Sequence, residues 1–385
     1  MPDVRNYTPF PNFRFYATDN QAREFGVIIV KATYEIAPSG RLLVAEEQAP
    51  MMFDDECHGE VNVSSLWHPS DLVPVKPTTD VIVNAIAHAP GGEPRPSWTC
   101  GITIEGTENS HTKRLRVTGP RQWLPRWKRP LTEHEKQEWQ KHRRWFEGWE
   151  LSESEPIASL PLRYEYAYGG LLPKGEDENG QAVIDTNPHN PLGLGWIDQE
   201  WTDHTRPQPA PRIEAADEPI TDAYRIYAPQ SLGPIPPAWE PRYPHGGTYD
   251  DEWKAKVWPR WPADYDFAYH NSAHPDLILD SYLGGDERIR LTNLLLERAD
   301  FSFRLPGEKL AVDFAGENGE TVRHEMNLDT LFLDIADTNP RYRRIYLSWR
   351  ARFEPDRFVT ANIHRIGRPE DSVAVTKRIK EGQYA

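Results

Sequence analysis

Cysteine is nearly absent from this chain of 385 residues: Cys57 and Cys100 are the only two, and they form no Cys-x-x-Cys pair. A disulfide framework is therefore excluded, and a reducing compartment is expected. Long apolar runs are missing as well. The longest near the N-terminus, residues 25–30, is bounded by Glu24 and Lys31 and is far too short to cross a membrane. Asp3 and Arg5 lie among prolines and aromatics where a secretory signal would place a basic and then an apolar region. These features predict a cytoplasmic protein with no membrane insertion.

The motifs of common chemistries are also lacking. No Gly-x-Gly-x-x-Gly or phosphate loop occurs, and Gly193-Leu194-Gly195 lies among prolines rather than between a strand and a helix. There is no Gly-x-Ser-x-Gly elbow and no His-Glu-x-x-His, the nearest fragment being Glu133-His134-Glu135. In Glu56-Cys57-His58 the neighbouring side chains of an extended chain point to opposite faces and so do not share an ion. Around Glu176-Asp177-Glu178-Asn179-Gly180, a calcium-loop alignment puts Gly175 where the first carboxylate ligand belongs. No catalytic residue, cofactor or metal is expected.

What the chain does have is negative charge, aromatics and proline. Its 59 acidic residues against 44 basic ones give a formal charge of -15, which opposes binding to nucleic acid or anionic lipid and suits a basic partner. The charge is spread along the chain, as on an ordinary solvated surface. The length allows one large β-rich domain or two to three smaller ones.

Strand signals dominate. Residues 24–36 are rich in β-branched and aromatic side chains and end at Pro38-Ser39-Gly40, a turn into residues 41–44, so a hairpin is expected. Residues 80–88, 99–105 and 113–117 repeat the pattern. In the last of these Leu115 and Val117 face one way and Arg114 and Arg116 the other. The C-terminal third has the same rhythm at 288–296, 300–305, 309–314, 320–326, 330–335 and 343–353, with a hairpin signal at Asn318-Gly319, and reads as a meander. The fold class expected is mainly β (a β-rich α+β protein): packed antiparallel sheets, a few helices and a long ordered proline-rich loop region.

Residues 132–149 read as the clearest helix, opened by a Thr132/Glu135 capping box, with Trp139, His142 and Phe146 on one stripe and Trp145 and Trp149 on the next. A shorter helix is expected at 250–257. Between them, residues 188–244 hold many of the 36 prolines, which disfavour central strands. The interleaved Trp196, Trp201, Tyr224, Tyr227 and Trp239 are too apolar for free disorder, so this segment is expected to pack over the sheets.

Several segments form an ordered set. They are Lys76-Pro77-Thr78-Thr79-Asp80-Val81-Ile82-Val83, Ala87-His88-Ala89-Pro90-Gly91-Gly92, residues 113–123, Pro161-Leu162-Arg163-Tyr164-Glu165-Tyr166-Ala167-Tyr168-Gly169-Gly170, Asn187-Pro188-His189-Asn190-Pro191-Leu192-Gly193-Leu194-Gly195, Gly247-Thr248-Tyr249-Asp250-Asp251-Glu252-Trp253, residues 264–267 and residues 329–334. In this order they resemble the type VI secretion accessory proteins, a bacterial domain of formerly unknown function often encoded between a VgrG-type spike and a toxic effector. The resemblance covers nearly the whole chain. It implies a non-enzymatic adaptor or chaperone whose partners are a type VI secretion effector and a VgrG-type spike or PAAR-type tip, and it supplies no catalytic residues.

From the residues themselves, most signature positions are expected to be structural. The run 161–170 reads as a strand entering a tight turn, with Arg163 and Glu165 pairing on one face, Tyr164 and Tyr166 on the other, and Gly169 and Gly170 in backbone closed to other residues. Asp80 is expected to cap the entry to its strand. Lys76, Pro77, Asn190, Pro191, Gly193, Tyr249, Asp250 and Trp253 complete the signature. Trp145, Trp149 and Trp239 are the expected partner anchors, since exposed aromatics concentrate binding energy. The chain is read as one adaptor domain with two β-rich lobes: 1–125, a helical insertion at 126–155, the signature and proline-rich region at 156–285, and 286–385. The alternative is a carbohydrate-binding or glycoside-cleaving β protein, with 14 tryptophans to stack on sugars and Asp250, Asp251 and Asp264 to supply paired acids.

Overall fold

A computed structural model describes residues 1–106 and 110–366. Strands dominate, in three principal sheets. The first has six strands: Asn12–Thr18, Glu24–Ile36, Arg344–Phe353, Asn327–Asp334 and Asp80–Asn84 in spatial order, with Leu42–Val44 pairing to the far end of Glu24–Ile36. Its pairs are antiparallel except for Asp80–Asn84, which runs parallel to Asn327–Asp334. The second sheet orders Ile213–Ala215, Ser110–Thr118, Ser97–Glu105, Arg288–Leu295 and Arg298–Arg304, and the third orders Asp3–Asn6, Thr360–Arg365, Leu310–Ala315 and Thr321–Glu325.

The long strand Glu24–Ile36 shows why its sequence is almost continuously apolar. Ile28, Val30, Ala32 and Tyr34 enter the main core on one face, while Phe25, Val27 and Ile29 enter a smaller cluster on the other. A strand buried on both faces has no polar alternation to show. Further along the second face comes Lys31, only 1% exposed. Residues 113–117 follow the simpler pattern, with Leu115 and Val117 buried and Arg114 exposed.

Each expected strand of the C-terminal third is present, but a single meander is not. The strand pairs 288–304, 310–325 and 327–353 go to three different sheets, because each finds its other neighbour in the first third of the chain or near its end. Both halves of the chain therefore contribute to the same sheets. Residues 367–385 of the expected 286–385 portion lie outside the described residues.

The expected helix over 132–149 is much shorter. Its capping box is present, Thr132 accepting from the Glu135 amide while Glu135 accepts from the Thr132 amide, but the α-helix covers only Glu133–Gln137. A 3-10 turn follows at Trp139–Trp145, and then Phe146–Leu151 becomes a strand paired with Gln122–Trp127. Tertiary packing overrides helical spacing here. His204 lies against Trp139, Phe146 and Trp149 with ring centroids 4.3, 4.5 and 5.2 Å away, a cluster that a continuous helix would pull apart. The second helix, Asp251–Lys256, is capped by Asp250, which accepts from the Trp253 amide at 2.7 Å. The proline-rich stretch is ordered, mostly irregular, and burial of Leu232, Ile235 and Trp239 holds it on the main core.

Candidate interaction surface

The signature residues divide into three structural groups. In the first, charged side chains lie across one face of the six-stranded sheet. Thr330 stands opposite both Asp80 and Ser348, and Ser348 opposite Lys31, so these residues share a face with Arg350, two positions further along. A register shift between Leu328 and Thr330 inserts Asp329 as a bulge, which brings its carboxylate to Arg350. The segment over this face supplies His68, at the end of the short strand Leu66–His68, and Asp71 and Lys76 from the loop after it.

These groups form a continuous network. Lys31 donates to Asp71 at 2.7 Å and to His68 Nε2 at 3.1 Å, and Arg350 donates to the Asp71 carbonyl at 2.9 Å and to Asp329. Thr330 donates to Asp329 at 3.0 Å and accepts from Lys76 at 2.9 Å, and Lys76 donates to Asp80 at 2.7 Å. Lys31, Lys76 and Arg350 thus balance Asp71, Asp80 and Asp329, all of them buried. Burial, then the Lys31 ammonium, lowers the His68 imidazole to about 4, which keeps it neutral and able to accept from Lys31. Burial alone would raise the Asp71 carboxyl, but the Lys31 charge and its hydrogen bonds overcome this and hold it below the usual range. Beside Lys31, His68 and Asp71 the remaining cavity of about 10 Å³ is at the lower limit for one water, whereas a cleft of about 450 Å³ opens on the other side of Lys76, Asp329 and Arg350.

Asp80 does not cap its own strand. Its carboxylate accepts from Lys76, from Asn271 at 2.8 Å and from the Ser272 amide at 2.8 Å, tying the strand to a loop almost two hundred positions away in sequence. Pro77 beside it is exposed.

The second group replaces the strand expected at 161–170. Residues Tyr164–Tyr166 form a 3-10 turn between the short strands Ser159–Pro161 and Tyr168–Gly169. Arg163 and Glu165 do not pair. Glu165 accepts instead from the Ser65 amide at 2.9 Å and its hydroxyl, and the Tyr164 amide donates to Ser65 Oγ at 3.0 Å, so a distant serine turns the chain. The glycines behave as expected: φ is +146° at Gly169 and +114° at Gly170. A β-carbon at these positions would lie 2.2 Å from the Asn190 carbonyl oxygen and 2.7 Å from that of Gly193. Asn190 is fully buried and donates to the Tyr164 and Tyr168 carbonyls at 2.9 and 3.0 Å, while Gly193 has no room for a side chain against Ala167. Pro191, partly buried, enters the same junction.

The third group is exposed. From Tyr243 to His270 the chain is rich in aromatics, several of which stack on one another rather than enter the core. Tyr249 packs edge-on to Trp253 at 4.7 Å, Trp253 to Trp258 at 5.6 Å, and Trp261 lies 4.2 Å from Tyr265. Trp253 donates its indole N–H to the Arg260 carbonyl at 2.9 Å, which fixes the turn after the helix. The outer members stay in solvent: Tyr243, Tyr249 and Trp258 are 65, 56 and 68% exposed. The base of this promontory is held by Phe267, edge-on to Phe25 at 6.3 Å, and by Tyr265, whose hydroxyl is hydrogen-bonded to His270 Nε2 at 2.6 Å. Burial and the nearby Arg242 lower His270 to about 3, so the ring in that bond is neutral.

Asp250 and Asp264, two of the acids of the glycoside-cleaving alternative, serve this local structure. Asp250 caps the helix, and Asp264 accepts from the Thr248 hydroxyl at 2.7 Å and amide at 3.1 Å, bonds that hold its carboxyl below the usual range. A general acid needs the opposite shift.

Of the three expected anchors, Trp239 is not available. It is 7% exposed and packs edge-on to Tyr164 at 5.5 Å within the main core. Trp145 is partly exposed between the guanidinium groups of Arg129 and Arg144, at 5.8 and 5.2 Å, whereas Trp149 turns toward Phe146 and His204. Trp258 and Tyr243 were not singled out in the sequence. Their signal was the density of aromatics around prolines in 243–265, where too few aliphatic residues accompany them to build a separate core.

Among the described residues no helix is long and apolar enough to cross a membrane. Comparison with curated proteins and with solved structures finds no match to this chain. One family model does match, over residues 21–350, and with that much of its length covered the chain belongs to the family described as an uncharacterized protein conserved in bacteria (DUF2169).

Proposed function

We propose that this protein is a non-enzymatic adaptor or chaperone that works in the bacterial cytoplasm, holding a type VI secretion effector and helping to load it onto a VgrG-type spike or its PAAR-type tip. The observation that carries this reading is the ordered set of motifs from Lys76 to Asp334, which resembles the type VI accessory proteins across nearly the whole chain. The aromatic promontory supports it. A surface of Tyr249 and Trp258, joined through Trp253 on a well-tied base, offers large, rigid contact areas of the kind that anchor protein interfaces.

The test is affinity capture from the native bacterium with the intact protein and with a Tyr249→Ala/Trp258→Ala variant. The products of neighbouring effector and spike genes are expected with the intact protein and depleted at least about tenfold with the variant, while thermal melting of the two proteins stays alike. Deleting the gene should abolish delivery of one effector and leave the secretion machine able to fire. Normal delivery in the deletion strain with no partner captured would refute the adaptor reading, and saturable oligosaccharide binding lost in the same variant would put the sugar-binding alternative in its place.

A further inference from the structure

A second surface, independent of the type VI reading, lies on the hairpin formed by Leu171–Glu176 and Ala182–Thr186. These two strands pair only with each other among the described residues. The register places Leu171 opposite Thr186 and Pro173 opposite Ile184, so these four side chains share one face, and all four are exposed. Leu171 and Ile184 are 56 and 51% exposed. The opposite face is anchored by Leu172, 3% exposed, and also carries the cross-strand ion pair of Lys174 with Asp185 and Val183, 39% exposed.

The hydrogen-bond phase of the hairpin follows from one bond and one residue type. The Asn187 amide donates to the Gly170 carbonyl at 3.0 Å, and hydrogen-bonded pairs alternate in an antiparallel ladder. The next hydrogen-bonded pair is therefore Leu172 with Asp185, and Pro173, which has no N–H, falls at a non-bonded position opposite Ile184. The N–H and C=O groups of Ile184 and Thr186 consequently face away from the hairpin, along a free edge. A two-stranded hairpin with an apolar face is marginal by itself, and a free edge beside exposed apolar side chains is the arrangement that accepts a further strand.

Charge selects what that strand is. Glu176, Asp177, Glu178 and Asp185 outweigh Lys174 on the hairpin, and Asp198 and Glu200 are close enough to act on the Lys174 ammonium. A second copy of this chain would set one net acidic hairpin beside another, which like charge opposes. We propose that the outer edge of Ala182–Thr186 captures an extended apolar segment of a partner protein flanked by lysine or arginine, adding it as a third strand. Backbone groups of Ile184 and Thr186 give the affinity, every second side chain of the guest stands beside Ile184 and Thr186 on the face that continues to Leu171 and Pro173, and a basic flank meets the acidic tip.

The experiment uses the full chain and two synthetic peptides of about twelve residues with the same alternating valine and threonine core, one flanked by lysines and the other by glutamates, followed by fluorescence anisotropy. The lysine peptide is expected to bind at least about tenfold more tightly, to weaken in about 0.5 M salt, and to protect the Ile184 and Thr186 amides from hydrogen exchange. Ile184→Pro removes an outward N–H that the hairpin does not use, and should lower binding at least about tenfold without moving the thermal melt. Should that variant melt early, Ile184→Asp probes the same face with the backbone intact. Equal affinity for the two peptides, unchanged binding by both variants, or a concentration-dependent dimer lost on Ile184→Asp would each overturn the proposal, the last by giving the edge to a second copy.

Discussion

Replacing Asp80 by asparagine should be one of the most damaging isosteric changes available in this protein. The wild-type carboxylate is fully buried and accepts from Lys76, Asn271 and both donors of Ser272. Asparagine preserves the shape but removes the charge and turns an NH₂ group toward one of these donors, leaving the Lys76 ammonium without a neutralising partner. Stranding one member of a buried ion pair costs about 3–5 kcal/mol, a large part of the about 5–15 kcal/mol by which domains are stable. Lys76→Met should cost less, about 2 kcal/mol, because Asp80 keeps its bonds from Asn271 and Ser272. Carrying both changes, the protein strands no charge at all. The double variant is therefore expected to lose less than the sum of the single losses, with a coupling of about 2–3 kcal/mol. Urea unfolding monitored by tryptophan fluorescence provides the four free energies, provided the denaturant slope stays constant. Additivity to within about 0.5 kcal/mol would show that the two side chains do not depend on each other, and the network described here would be wrong.

Two further outcomes are expected. Gly170→Val should cost more than the about 1–3 kcal/mol of backbone strain alone, since its β-carbon would also meet the Gly193 carbonyl at 2.7 Å, and a thermal melt like that of the parent would contradict this. His68 binds its proton less readily folded, at about 4, than unfolded, near 6.5, so its contribution is complete above pH 6.5 and is lost as the pH falls toward 4. The loss should reach about 3 kcal/mol at pH 4, and His68→Gln should make the stability profile shallower by that amount, the rest of the slope coming from His58, His270 and His274. An unchanged profile would mean that the ring is hydrated in the folded protein.

Local rules in the sequence reached far in some places and stopped abruptly in others. Strand Glu24–Ile36 and helix Asp251–Lys256 were legible because β-branched density and an Asp250 cap act within a few residues. The helix over 132–149 was misread because its Thr132 box is local but its end is set by His204 and by the Gln122–Trp127 strand. The 161–170 run was misread for the same reason, since Ser65 turns it from a hundred positions away. The charge network was hidden for a stronger reason: Lys76 and Asp80 share one motif, but nothing in the sequence links them to Lys31, Asp71, Asp329 and Arg350 until the strands bring them together. Trp239 and Trp258 are alike in the sequence, both amid prolines. Only the burial of one and exposure of the other distinguishes a core residue from a surface one.

The interleaving of early and late strands also has a consequence for synthesis. Glu24–Ile36 receives its longest neighbour only from residues 344–353, and Asp3–Asn6 pairs with residues 360–363. While the ribosome is still translating the middle of the chain, the most apolar strand of the protein has a bare flank, and no amount of waiting can satisfy it. Completion must follow release of most of the polypeptide, so folding is late and dominated by distant closures. Cutting the chain near residue 285 would not yield two stable pieces, yet the two fragments mixed together have every complementary edge they need to reassemble.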